Sequence, residues 1–145
     1  MKAHAIQRAQ RSDIGEIEGL LKGSDLPVQG ATAHLHHFFV ARDGRSLAGV
    51  IGLEQYGEEG LLRSLAVSES CRSKGIGNAL YLRLLDEARS LGIRRLVLLT
   101  TTAEAYFSAR GFRKVDRGTI TGALRHSAEF TGACPESASC MELVL

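Results

Sequence analysis

The stretch between residues 61 and 99 constrains the fold more than any other part of the chain. Leu61–Val67 is an almost continuous apolar run, broken only by Arg63 and Ser64. A polar loop, Ser68–Lys74, ends on two glycines, Gly75 and Gly77. From about Gly75 to Leu91 apolar residues recur at helical spacing (Ile76, Leu80, Leu84, Ala88), and Gly92 supplies a stop. Leu96–Leu99 is apolar again, as a buried strand is. A strand, a cationic loop, a long amphipathic helix and a second buried strand require a sheet with helices packed on it.

The remaining segments fit that frame. Ala5–Arg8 reads as a short extended piece, and a helix with Ile14, Ile17, Leu20 and Leu21 on one face ends at Gly23. Asp13 and Glu16 have the spacing of a capping box. A short helical piece is expected near Ala31–Leu35. Phe38–Arg42 and Leu47–Tyr56 read as strands joined at Asp43-Gly44, a hairpin turn signal. Ala103–Arg110 forms a short helix ended by Gly111, Phe112–Asp116 is extended, Gly118–Ser137 carries no pattern, and Cys140–Leu145 closes as a strand. The expectation is one α/β (α+β) domain over residues 1–145. At this length a chain buries about 68% of its unfolded surface and needs no metal or disulfide.

Composition excludes several classes. There are 18 basic and 16 acidic residues, a net charge of +2 with the signs mixed, which disfavours nucleic acid as a partner. No apolar run reaches the roughly 20 residues of a membrane span, and Met1–His4 leads into no secretion-signal core. Three cysteines, an odd number, point to a reducing, cytoplasmic setting. The oligomeric state is open, a homodimer included.

The loop before the long helix carries the chemistry. Glycines at 75 and 77 leave backbone N–H groups bare at a positive helix start, and Arg72 and Lys74 add charge, so the segment suits an anion. It lacks the third glycine of a dinucleotide fingerprint and the G-x-x-x-x-G-K-[ST] of a nucleotide P-loop. It resembles the GNAT superfamily of N-acetyltransferases. Their pyrophosphate loop, [RQ]-x-x-G-x-[GA], is matched by Arg72, Gly75 and Gly77, and the strand end before it by Leu65, Ala66 and Val67. Ala103, Gly111 and Phe112 match part of a later element. The element order also agrees over nearly the whole chain. A narrower resemblance, to the acetyltransferases of arsenic-resistance operons, rests on Leu61–Val67, Leu98–Phe107 and Glu129–Ala138.

The resemblance implies a mixed, mostly antiparallel sheet of six to seven strands, helices on both faces, and a splay between the fourth and fifth strands. It implies acetyl-CoA as donor, with no metal, and a small primary amine as acceptor, an arsenic-containing amino acid or related toxin under the narrower likeness. Transfer would proceed by direct attack in a ternary complex. Arg72, Ser73, Lys74, Gly75, Ile76, Gly77 and Asn78 would hold the pyrophosphate, Leu65, Ala66 and Val67 the pantetheine arm, and Ala103 and Phe107 would adjoin the donor. An N–H near Ala66 would stabilise the oxyanion. Two departures stand out: Phe107 occupies the position of the family's usual tyrosine acid, and Thr100 that of its asparagine.

Other residues have two readings each. Arg63, a charge in an apolar run, is either a structural ion-pair partner or the cation that binds an acceptor's anionic group. Ser64, expected to face the opposite side, is either a satisfied core hydroxyl or a substrate contact. Glu54 is either the base that frees the amine or the partner of Arg63. His34, His36 and His37 lack metal-site spacing, and His37 is the one placed against substrate. Cys134 would border the substrate, with Arg125 and His126 in the same segment.

Overall fold

The computed structural model describes residues 5–145; Met1–His4, and with them the reading of the N-terminus, lie outside the described residues. The chain runs β1 (Ile6–Arg8), α1 (Ile14–Gly23), β2 (Phe38–Asp43), β3 (Ser46–Tyr56), β4 (Glu59–Val67), α2 (Ile76–Ser90), β5 (Arg95–Thr100), α3 (Glu104–Ser108), β6 (Arg113–Val115) and β7 (Ser139–Val144). One seven-stranded sheet results, in the order β1-β2-β3-β4-β5-β7-β6. Every pair is antiparallel except β4 with β5.

Alternation along β2 shows why both faces are covered. Phe39 and Ala41 join the cluster beneath α2, with Leu80, Leu84 and Ala88. Phe38 and Val40 point the other way, to Ile17 and Leu21 of α1. A strand buried on both sides loses its polar alternation, which is why β2 and β3 read as continuous apolar runs.

Two local departures matter for the site. Gly49 pairs with Val67 and Val50 with Ala66, but Gly52 pairs with Arg63, so β4 holds one extra residue opposite Ile51. This is a β-bulge, with Ser64 in left-handed backbone (φ 62°). A regular strand would turn Ser64 away from Arg63, as expected above; the bulge instead brings Ser64 Oγ to accept from Arg63 Nε at 2.9 Å. Secondly, β4 and β5 pair only from Glu59 to Leu61 against Arg95 to Val97. Beyond that the strands part, as the splay expectation required.

The segment without sequence pattern is ordered by packing. Ile120 and Leu124 bury against Leu61, Val97 and Cys140 where the paired part of β4 and β5 ends. Short turns at Arg117–Thr119 and Ala123–His126 and a π-helical turn at Glu129–Ala133 connect them. The capping box at the first helix is built from Gln10 and Asp13, not Asp13 and Glu16; Glu16 pairs instead with Arg42 at 2.9 Å.

Candidate functional site

The gap between the parted strands is a cleft of about 610 Å³. Leu62–Val67 of β4 form one wall, and Leu98, Leu99 and Thr100 of β5 with Ala103 and Phe107 form the other. The Ser24–Pro27 segment and the turn from Glu129 to Pro135 close it at the Arg63 end.

At one end lies Arg72, in the loop that leads into α2; Ser73, Lys74, Gly75, Ile76, Gly77 and Asn78 do not themselves line the cleft. Gly75 is the N-cap of α2, with φ 79° and no side chain accepting from the first turn. A Cβ there would meet nothing within 4 Å, so the left-handed backbone, not crowding, calls for glycine. The first N–H groups of this 15-residue helix therefore have no side-chain cap. Arg72 lines the cleft and donates through Nε to the Val67 carbonyl at 3.2 Å, which fixes the loop to the end of β4. Arg72, Ser73, Lys74, Gly75 and Asn78 are exposed, whereas the Ile76 side chain belongs to the core and only its backbone faces the loop. Bare N–H groups, a helix dipole and two cations at an exposed turn fit a pyrophosphate.

Along the middle, backbone direction decides which amides are free. The Ala66 carbonyl oxygen lies 3.2 Å from where a Gly49 Cβ would stand, and Ser68 N–H donates to Ala48. Both place the polar groups of residues 66 and 68 toward β3. A paired residue exchanges both its bonds with the same neighbour. Ala66 thus turns its polar groups to the sheet, and the neighbouring Val67, whose carbonyl accepts from Arg72, turns its own to the gap. A backbone donor near Ala66 is therefore available at Val67.

At the other end is a buried charge cluster. The Arg63 side chain is 0% exposed and lines the cleft. Its Nη1 donates to Glu54 Oε2 at 2.7 Å, its Nη2 to the Pro27 carbonyl at 3.2 Å, and Nε to Ser64. Of the two roles open to Glu54, the observed one is partner to Arg63. Its side chain is 1% exposed, it does not line the cleft, and it also accepts from the Tyr56 hydroxyl. A second carboxyl, Glu129 Oε2, lies 3.5 Å from Arg63 Nε and does line the cleft. Burial pushes the Glu129 carboxyl up to about 7; Arg63 opposes this and Glu54 adds to it. Neither sequence reading singled out Glu129. The signal was the arginine in an apolar run, which demands an acid, but nothing local says that two acids answer.

Other expected residues scatter. His37 does not line the cleft and its ring packs edge-on against His36; the histidine that reaches the cluster is His34, 3.5 Å from Glu54. Burial lowers the His34 pKa. Cys134 does line the cleft, but burial foremost, with Glu129 beside it, pushes its thiol up to about 12, so it stays a neutral thiol. Arg125 is spent on the carbonyls of Ile120 and Arg117, and neither it nor His126 reaches the cleft. Phe107 and Ala103 line the cleft as expected; Tyr106 does not. Thr100 accepts from the Ala103 N–H at 2.9 Å and so organises the start of α3. Among the described residues no cluster of His, Cys, Asp and Glu suits a metal ion, and no helix is long and apolar enough to cross a membrane.

Known proteins share this fold. An amino-acid acetyltransferase of Neisseria meningitidis is 30% identical over 120 residues, covering 75% of this chain and 27% of its own length. The chain therefore spans only about a quarter of that relative. The solved N-acetylglutamate synthase of Neisseria gonorrhoeae, complexed with coenzyme A and N-acetyl-glutamate, superposes with a TM-score of 0.85 at 23% identity, over 100% of this chain and 36% of the other. A Mycobacterium tuberculosis protein solved with CoA gives 0.81 at 25% identity, over 97% and 99%. Residues 4–114 match the family described as Acetyltransferase (GNAT) family. The chain belongs to the GNAT family of acetyltransferases.

Proposed function

We propose that the protein transfers an acetyl group from acetyl-CoA to the amino group of a small amino-acid-like acceptor. One observation carries this reading: a single cleft runs from Arg72, in the cationic loop that enters α2, to a buried guanidinium. A donor whose pyrophosphate rests on Arg72 and the first turn of α2 would run its pantetheine arm along the open side of Leu65–Val67. Its thioester would then lie between the parted strands. The oxyanion formed on attack would meet an amide from that open edge. Arg63, oriented by Glu54 and Ser64, would hold the acceptor's anionic group with its planar fork.

The acceptor class follows from similarity to amino-acid acetyltransferases and from the buried cation. The arsenic-containing amino acid suggested by the narrower sequence likeness is one member of that class, and none of the relatives above is named for it. A cytoplasmic setting accords with three free thiols. Phe107 in the place of a tyrosine acid favours a second reading, a CoA-binding module without turnover. A thiol-release assay with amino acids, an arsenic-containing analogue and simple alkyl amines separates them. Release with amino acids and none with alkyl amines supports the proposal; binding of acetyl-CoA without release supports the module.

A further inference from the structure

We propose that Glu129 is the group that receives the acceptor's ammonium and takes its proton before acetyl transfer. The assignment rests on the acetyltransferase reading above and names the base within it. The buried cluster holds two carboxyls and one guanidinium. Every directed donor bond of Arg63 goes elsewhere, to Glu54, Ser64 and Pro27. Glu129 stands 3.5 Å off without such a bond, and its side chain is 4% exposed. Of the two acids it is the one on the cleft wall. The cluster thus holds two acids against one arginine, and the acid with the longer contact to it faces the space where an acceptor would sit. A buried carboxylate that shares its cation with another acid is costly. An arriving ammonium group supplies a second positive charge, while Arg63 beside it takes the acceptor's anionic group.

The chemistry then balances. The ammonium passes one proton to a Glu129 oxygen, and the nitrogen lone pair forms the C–N bond to the thioester carbonyl carbon. As the tetrahedral adduct collapses the C–S bond breaks and the sulfur leaves with the electron pair. The second N–H proton is lost at this stage; of the two protons released, one ends on the CoA thiol and one in solvent. An acid that titrates near neutral pH serves both as acceptor and as returner of the proton. The groups facing Glu129 are Arg63 from β4, Glu54 and Tyr56 from β3, His34 by way of Glu54, and Cys134 at the end of its own turn, with Arg117 acting on that thiol. The Cys134 thiol, as a hydrogen-bond donor, favours the ionised form of Glu129.

The test is the pH profile of kcat/KM for the best amino-acid acceptor, in wild type and in Glu129→Gln, with acetyl-CoA affinity measured by calorimetry on each. The wild type should show a rising limb centred near pH 7. Glu129→Gln should lose that limb and about 10²-fold or more in rate with acetyl-CoA affinity unchanged. Cys134→Ala should keep the limb and move it to higher pH. If Glu129→Gln fails to fold, Glu129→Asp replaces it: a limb retained at reduced rate supports the assignment, and a wild-type rate and limb overturn it. A Glu129→Gln variant within threefold of wild type with the limb intact overturns it as well. A wild type that acetylates no amine overturns the functional reading itself; an active wild type with an unaffected Glu129→Gln overturns only Glu129.

Discussion

The two ends of the cleft are built on opposite principles. The α2 end is backbone: a left-handed glycine, uncapped N–H groups and cations that stay in solvent. The Arg63 end is side chain: a guanidinium and two carboxyls removed from water, drawn from β3, β4 and the segment after β6. The first tolerates change wherever the backbone and the approach of an anion are preserved. The second is a closed charge set, in which deleting one member strands the others. Under the proposed function, specificity for the acceptor would sit where the structure is least tolerant, and donor binding where it is most local.

Arg63→Leu is the harshest way to break that contrast. Removing the cation leaves Glu54 and Glu129 facing each other, and the loss of one partner from a buried pair costs about 3–5 kcal/mol. Thermal and urea unfolding should show it, and adding Glu54→Leu should return part of the stability. Arg63→Lys is the gentler version: it should raise KM for an amino-acid acceptor and leave acetyl-CoA affinity alone, since lysine has no planar fork. A variant that loses donor affinity as much as acceptor affinity would erase the distinction between the ends.

The same contrast governs what the sequence revealed. The α2 end was legible because each of its parts is local: Arg72, Gly75 and Gly77 lie within six residues, and the helix behind them repeats at 3.6. The hairpin at Asp43-Gly44 followed in the same way, whereas the parting of two strands came only with the family resemblance. The acceptor end was half legible. Arg63 announced itself as a charge in an apolar run, yet its partners lie 9 and 66 positions away, at Glu54 and Glu129, and no periodicity links them. The bulge at Ser64 was invisible because a strand pattern assumes strict alternation, and its failure turned Ser64 to the wrong face. His37 was preferred over His34 for want of any way to tell a turn's inside from its outside. Residues 118–137 showed no pattern because their turns are three to five residues long and are fixed by the docking of Ile120 and Leu124.

A stability measurement sharpens the comparison without any substrate. The Glu129 carboxyl rises from an ordinary 4.5 to about 7 on folding. Below pH 4.5 folded and unfolded chains both carry the proton; between 4.5 and 7 only the folded chain does. Its contribution is therefore fully present below 4.5 and lost as pH rises through 7, roughly 3 kcal/mol in all. The paired acids Glu16, Glu87 and Glu142, whose pKa values are lowered mainly against arginines, act in the opposite sense at lower pH. The difference between wild type and Glu129→Gln isolates the term. Wild type should lose stability relative to the variant between pH 5 and 7.5, and parallel curves would contradict the buried, proton-holding carboxyl.

At the donor end the largest effect should come from Gly75→Asp, which sets a carboxylate where the pyrophosphate would lie. Acetyl-CoA affinity should fall about 100-fold, close to 3 kcal/mol. Gly75→Ala separates charge from strain. Its Cβ meets no neighbour, so its cost is the left-handed backbone alone, on the order of 1 kcal/mol of stability, with affinity within about tenfold of wild type. Equal losses in the two variants would show that backbone shape, not anion binding, is what Gly75 provides.

The smallest effect tests the departure at Phe107. Tyr106 is one residue from the usual acid position, and one residue on a helix is a turn of about 100°. Its ring packs edge-on against Phe107 and beneath the Arg110 guanidinium, 3.5 Å from the ring centre, and its hydroxyl is buried with no hydrogen-bond partner among the described residues. That oxygen is 3.7 Å from where a Gly77 Cβ would stand, behind the first turn of α2 and outside the cleft lining. A hydroxyl so placed is not expected to protonate a departing thiolate. Under the proposed reaction the CoA thiolate would leave with little help, because a thiol pKa near 8.5 makes it a good leaving group that takes up its proton afterwards. Tyr106→Phe should therefore change kcat by less than about tenfold, where loss of a true acid costs about 10²–10⁴. It also removes an unsatisfied buried group, so the melting temperature should hold or rise, by up to about 1 kcal/mol of stability. A thousandfold drop in kcat with acetyl-CoA affinity intact would mean that α3 turns Tyr106 toward the thioester during turnover, and that the donor end, too, depends on a side chain.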